Sequence, residues 1–542
     1  MSDTAALAPL LDRVVRGLFA ASPAAARAAG DHTYDGVLGS VGSDAVQARM
    51  AELDNLLAEI DAIDRAGLDD AQRADLATAR ALTGNEHFHL AELRDPATDP
   101  QWAAYAGADV WSYVARPYAP VPERAEALCR HLEQLPDWLD AAAGLLDGEL
   151  AAGPRQVGLD TVRGFASFYR SDVRTALGDL GDPALARRLD AALEAGAGAC
   201  ERMATRVEAT ASLADAALGP DRFAAMLEAQ EGVHETAAAL RTRVDAELER
   251  LEARGAEVAA SIGAASLTEA FVRMEERRST ASTLVADTAG MLAELRRFWE
   301  QRDVVTLPQG VDCRVIPTPS FMSWVTAAYE SPGPLDPDGL EHHYFITTVD
   351  PTWSATQAEQ WLTHLNLPCL ENISVHEVLP GHFVHAVAAL GHASLVRKIG
   401  FFSGFGEGWA HYTELLGIEQ GLAEGRPLLE LAMIQDALLR VCRFSATVSM
   451  HCEGGDLESA TRLFEEHAHI PRLAAEREAL RGTHDPMYLV YTYGKLEILR
   501  WREELSRRPG FSEKAFHDRM LRCGYAPLAA VAEYTAAGFP AS

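Results

Sequence analysis

Basic residues are scarce in this chain: Lys and Arg number 48 against 79 Asp and Glu, a formal charge of −31. A surface that acidic repels phosphate backbones and anionic headgroups, which argues against nucleic-acid and membrane-surface partners. Cysteine is sparse as well. The seven, Cys129, Cys200, Cys313, Cys369, Cys442, Cys452 and Cys523, are odd in number, scattered, and contain no C-x-x-C pair. That pattern argues against a disulfide framework or a thiolate zinc site and places the chain in the cytoplasm. Long apolar runs are missing: no stretch of about 18 uninterrupted apolar residues is available to span a bilayer. The first ten residues carry Asp3 early and lack a basic segment ahead of an apolar one, so no secretory signal is expected. There is no internal repeat and no low-complexity tail.

What remains is the composition of an ordinary globular protein, 48% hydrophobic and 23% charged over 542 residues. Residues 1–305 read as helix after helix, rich in Ala, Leu, Glu and Arg at helical spacing. Arg222 to about Arg254 reads as one long amphipathic segment. Another opens at Ser266-Leu-Thr-Glu269, a capping-box pattern, and runs on through Leu284, Met291, Leu295 and Phe298 as a core stripe. Leu307-Pro-Gln-Gly310 stops the helical pattern. Cys313–Ile316, Ser323–Ala328 and His343–Val349 are the strand candidates, with a Pro- and Gly-rich loop from Ser331 to Gly339 between the second and third. Helical patterns resume near Ser354. The expectation is a mainly α protein with one small antiparallel sheet near residues 313–350. Residues 1–305 form a helical part and 306–542 a metal-binding catalytic part of one continuous fold.

Residues 376–382 read His-Glu-Val-Leu-Pro-Gly-His. Neutral imidazoles suit zinc, and an adjacent carboxylate can take a proton from an activated water. In the familiar H-E-x-x-H arrangement the histidines share a helix face at i and i+4. Here the second stands at i+6, roughly 120° off that face in a straight helix. Pro380 and Gly381 provide for a kink or bulge that returns His382 to the metal. Twenty-five residues beyond His382, Glu407, His411 and Glu414 stand at i, i+4 and i+7 on one helical face. Either glutamate could complete a two-histidine, one-carboxylate site. Glu407, flanked by glycines, is preferred as the ligand, and Glu414 as the partner that orients a ligating histidine.

With these blocks in view, the chain resembles the bacterial group named "domain of unknown function 885", regarded as zinc-metallopeptidase-like and related to the gluzincins. The likeness is carried by an H-E-x-x-P-G-H block, here His376–His382, and an E-G-W-A-x-Y-x-E block, here Glu407–Glu414. Weaker marks are Gly30-Asp-His-Thr-Tyr-Asp35, Tyr493-Gly-Lys-Leu-Glu-Ile-Leu-Arg500, and Phe516-His-Asp518 with Gly524, so the likeness spans roughly residues 30 to 530. It implies a mainly helical fold with a deep cleft, one wall of it made by the N-terminal half, and a metal held by His376, His382 and Glu407. It also makes Tyr491 and His451 the groups to stabilise an oxyanion, with Tyr488 and Tyr493 as further tyrosines. The chain departs from the pattern at Thr447, where an aspartate is usual, and across Pro486–Tyr491.

The expected activity is zinc-dependent hydrolysis of peptide bonds in short peptides, with Glu377 as general base. The same machinery would serve a deacylase acting on a small amide or ester. The reading from another class is a metal-stabilised binding or scaffold protein without turnover, against which an intact Glu377 argues.

Overall fold

The computed structural model describes residues 3–214, 217–319, 325–400 and 402–540. It is mainly α-helical and divides into two compact units, Met1–Ala216 with Pro332–Leu340, and Ala217–Ser331 with Glu341–Ser542.

The first unit is built on three long helices, α1 (Val121–Ala143), α2 (Ala152–Ser171) and α3 (Pro183–Glu208). Apolar residues at helical spacing, Leu128, Leu132, Leu135 and Leu139 on α1 and Leu185, Leu189 and Leu193 on α3, form the buried stripes that drive the packing. Gly196 on α3 lets Leu132 and the Tyr169 ring approach closely. Strands β1 (Glu149–Ala151) and β2 (Ala211–Leu213) pair as a two-stranded parallel sheet. The motif Gly30–Asp35 serves the fold here. His32 lies between Asp336 at 2.9 Å and Asp35 at 3.3 Å, and its ring stacks on Tyr118 at 3.4 Å. Gly30, at φ +87°, leaves room for the backbone of Asp336. The motif thereby clasps the segment Pro332–Leu340 to this unit.

The second unit carries α4 (Pro220–Glu231) and α5 (Ala237–Ser261). The single helix expected across 222–254 is two, because Gly232 takes a left-handed conformation at the end of α4. The segment opening at Ser266 is also divided. Ser266 accepts the amide of Glu269 as expected of a cap, but the helix ends at Met274 and a new one runs Leu284–Arg302. The Glu269 carboxylate accepts from Ala265, one residue outside the box.

A three-stranded sheet follows, β3 (Cys313–Pro317), β4 (Ala327–Glu330) and β5 (His342–Ile346), in the order β3-β5-β4. It is mixed, which corrects the antiparallel expectation. β4 and β5 pair antiparallel, but β3 lies parallel to β5 with Arg314 opposite His343. The reason is connectivity: consecutive strands β3 and β4 are not neighbours, because β5 inserts between them. Two residues of the expected second strand, 323 and 324, lie outside the described residues.

Six further helices carry or support the candidate site: α6 (Leu367–Glu377), α7 (His382–His392), α8 (Ser403–Glu419), α9 (Pro427–Cys452), α10 (Arg472–His484) and α11 (Val490–Ser506). Helices α8 and α11 cross at glycine. A Cβ on Gly408 would stand 2.6 Å from Gly494 Cα, and one on Gly494 would stand 2.0 Å from the Gly404 carbonyl oxygen. Buried Glu231 holds the start of α8, accepting the amides of Gly404 at 2.8 Å and of Leu528 at 3.0 Å.

The crossing makes a sharp prediction. Gly494→Ala should cost about 1–3 kcal/mol, since backbone atoms and not a flexible side chain block the new methyl. Gly406→Ala, where a Cβ would meet nothing within 4 Å, should be neutral or stabilising by up to about 1 kcal/mol. Urea-denaturation midpoints read the difference, and equal midpoints for the two variants would show that the crossing is loose.

Candidate metal centre

The sequence block 376–382 folds as the end of one helix and the start of the next. α6 stops at Glu377, the chain turns through Val378–Gly381 with a cis bond before Pro380, and α7 begins at His382. This replaces the expected kink or bulge with a full break. Gly381 is required there, since a Cβ would lie 1.6 Å from the carbonyl oxygen of His376. The indole N–H of Trp409 donates to the carbonyls of Pro380 and Gly381, at 3.0 and 3.2 Å, which ties the turn to α8. The break brings the two imidazoles together, with centroids 4.9 Å apart and planes nearly perpendicular.

Glu407, one helical turn into α8, presents Oε2 to both rings, 3.4 Å from His376 Nε2 and 3.5 Å from His382 Nε2. These separations exceed a normal N–H···O hydrogen bond of about 2.9 Å. They match a different geometry: ligand atoms about 2.1 Å from a tetrahedral zinc stand roughly 3.4 Å from one another. The residues present therefore fit a divalent ion. One ligand atom each of His376, Glu377 and His382 also fall within 4.8 Å of one another, so Glu377 lies beside the same two imidazoles. Its Oε2 accepts the backbone N–H of Tyr329 on β4 at 3.0 Å. This bond joins the sheet to the site.

The other face of His376 is held from the interior. Nδ1–H donates to Glu414 Oε1 at 2.8 Å, which directs the Nε2 lone pair at the centre. Glu414 in turn accepts from Arg440 at 3.0 Å and from Asn372 at 3.1 Å, and Asn372 also donates to Asp436 at 2.6 Å. Burial and Arg440 both work against a charged His376, but Glu407 and Glu414 on its two sides outweigh them and lift it to about 9. Burial likewise opposes the charge of Glu407, yet the two imidazoles hold that carboxyl well below its usual range.

His451 does not join the cluster. Its ring is buried, with Nε2 donating to the Gly482 carbonyl at 2.8 Å and Nδ1 accepting the Leu218 amide at 3.3 Å. Both nitrogens are committed to backbone, which corrects its assignment as an oxyanion donor. Tyr488 and Tyr493 are turned to Glu478 and Glu235. Tyr491 is half-buried, with its hydroxyl raised chiefly by the charge of Glu407. Tyr525, which sequence reasoning missed, is raised first by burial and then by the same carboxylate, and its ring lies 4.3 Å from that of His385. No spacing signal marks it, since it comes from a C-terminal loop. Asn372 was likewise unmarked, although it stands one turn before His376 on α6.

The raised His376 fixes a pH dependence. Metal-free, this imidazole holds a proton below about pH 9 and must release it to ligate. Apparent zinc affinity should therefore rise up to about tenfold per pH unit from pH 7 to 9, then level. Calorimetry in buffers of different ionisation enthalpy should count about one proton released per zinc at pH 7.5. No proton release would place the metal elsewhere.

The sequence matches, over residues 23–534, the family described as "Bacterial protein of unknown function (DUF885)". No curated protein matches it. Among solved structures, a candidate lipoprotein of unknown function from Shewanella oneidensis superposes with a TM-score of 0.81 at 21% identity, covering 97% of this chain and 98% of that one. A candidate lipoprotein from Colwellia psychrerythraea superposes with a TM-score of 0.77 at 19% identity, with 99% of each chain covered. These two share its fold. The family match extends over nearly the whole chain and includes both blocks that build the cluster, and the chain belongs to the bacterial DUF885 family.

Proposed function

We propose that this protein is a zinc-dependent hydrolase of peptide bonds in short peptides. The observation that carries the reading is the position of Glu377. Its carboxylate lies beside the same two imidazoles, His376 and His382, that Glu407 meets, and a backbone amide from β4 holds one of its oxygens. A purely structural metal site has no use for such a group.

In this reading His376, His382 and Glu407 hold the ion. Zinc, when bound, supplies Lewis acidity, acidifying a water and polarising the scissile carbonyl. Glu377 is the general base. With Oε2 fixed by the Tyr329 amide, Oε1 is the atom that takes the proton from the attacking water and passes it to the leaving nitrogen. Glu414 keeps His376 oriented with its proton on Nδ1. Tyr491 is the hydroxyl proposed to donate to the developing oxyanion; a phenol carries its proton at neutral pH, and the charge of Glu407 raises it further.

Replacing Glu377 by glutamine keeps the shape and the Tyr329 bond while removing the basicity. Glu377→Gln should retain about one zinc per chain and the thermal midpoint of the wild type, while kcat on a blocked dipeptide falls by about 10²-fold or more. Alanine at His376, His382 or Glu407 should instead lose the metal, as elemental analysis would show. Full turnover in Glu377→Gln would exclude it as the base. A zinc-loaded wild type inert on peptides, amides and esters alike would favour a binding or scaffold role.

A further inference from the structure

We infer that the cavity behind Glu414, walled by α5, α8, α9 and α11, is a binding site for a small neutral ligand that carries one hydroxyl. The ligand class is an alcohol or phenol of about the size of phenol itself, with His411 as its hydrogen-bond partner. Such a site would exist whether or not the protein is a hydrolase.

His411 stands between Glu407 and Glu414 on α8, yet it takes no part in the metal cluster. It is 2% exposed, and neither ring nitrogen has a hydrogen-bond partner among the described residues. Nδ1 stands 3.5 Å from Glu414 Oε2, well beyond the normal N–H···O distance of about 2.9 Å. Burial first, and then the charge of Lys495, push this imidazole down to about 3. It is therefore neutral and offers one N–H donor and one bare acceptor. Leaving such atoms unpaired in the interior is costly, and in folded proteins nearly all of them have a partner.

The imidazole lines a cavity of about 140 Å³. A cavity of about 150 Å³ holds benzene, which sets the size of the ligand. Leu251 of α5, Ile418 of α8, and Met433 and Ala437 of α9 give it apolar walls. The charges that line it are already matched within the protein. Lys495 lies on Glu247 at 2.5 Å and Arg250 on the same carboxylate at 2.7 Å. Arg254 lies on Glu430 at 2.7 Å, and Glu414 is held by Arg440, Asn372 and His376. A charged ligand would meet no free countercharge there and would lose its hydration on entering. His411 alone among the lining residues keeps buried polar atoms without a partner. A hydroxyl can donate to its bare nitrogen or accept from its N–H. The site is separate from the metal centre: Glu414 lines the cavity, and His376, Glu377, His382 and Glu407 do not.

The test uses the zinc-loaded wild type and phenol, toluene, benzoate and benzylamine as probes. Toluene has the shape of phenol without the hydroxyl, and the last two add a charge of either sign. Titrations followed by ligand-detected NMR should find phenol bound about tenfold or more tighter than each of the others. His411→Leu, with zinc content and thermal midpoint checked, should bring phenol and toluene within about twofold. Ala437→Leu fills the cavity from α9 and leaves His411 in place, and it should weaken phenol by about tenfold or more. No saturable binding of phenol would mean that water alone fills the cavity, and it overturns the site. Equal affinities for phenol and toluene in the wild type, or tighter binding of either ion, overturn the ligand class. A phenol preference that survives His411→Leu also overturns the site, because the hydroxyl then binds elsewhere, the metal centre included. Should that variant fail to fold, Ala437→Leu decides: unchanged phenol affinity overturns the site.

Discussion

The carboxylate of Glu414 is the fixed point from which the rest of the centre is set. It is almost fully buried, and a charge removed from water in that way persists only when its oxygens are satisfied. Arg440 from α9, and Asn372 and the Nδ1–H of His376 from α6, do this, so that two helices are joined through one side chain of α8. The arrangement also decides which nitrogen of His376 is left for chemistry. Because a carboxylate can only accept, the proton belongs on Nδ1 and the lone pair on Nε2. Seven residues earlier on the same helix face, Glu407 meets that second nitrogen. One imidazole is thus gripped on both sides by two glutamates of one helix.

This grip depends on backbone proximity. Gly408 and Gly494 allow α8 and α11 to touch at main-chain distance, and Glu407 is the neighbour of that contact. Trp409, the next residue, reaches the other way to fasten the Pro380–Gly381 turn. Consecutive residues Glu407, Gly408 and Trp409 therefore supply, in order, a candidate ligand, a close helix crossing and a lock on the turn that delivers His382. The weaker family marks act as supports at a greater remove. Lys495 is paired with Glu247 inside the second unit, and His517 bonds Tyr412 at 2.9 Å and the Val304 carbonyl at 2.7 Å.

The helical class, the location of the small sheet and the convergence of His376, His382 and Glu407 were legible in the sequence, because periodicity and short motifs encode local structure directly. The sheet's mixed pairing was not, since strand order depends on a crossover that no local pattern records. The break at Gly232 was hidden by apolar spacing that continues across it, while glycine's left-handed conformation ends the helix. His451 shows the limit of arguing by motif position. A histidine in a suggestive place was recruited by two backbone groups, and only the tertiary structure shows which atoms those are. Tyr525 and the Tyr329 amide are the converse case: they reach the site from a distant loop and from a main-chain donor, which carry no residue-type signal.

The centre has an inside and an outside. His376 is 6% exposed and braced by Glu414, whereas His382 and Glu407 are 19% and 22% exposed. An ion seated there would meet two ligands nearer the solvent and one inner imidazole that Glu414 holds in place. Departure would begin with the outer two ligands and end at His376, and arrival would run in reverse. Exchange would accordingly be a sequence of partial detachments, each readily reversed while the inner nitrogen still holds. Such a centre would retain its metal far longer under competition from a chelator than the affinity of any one ligand suggests.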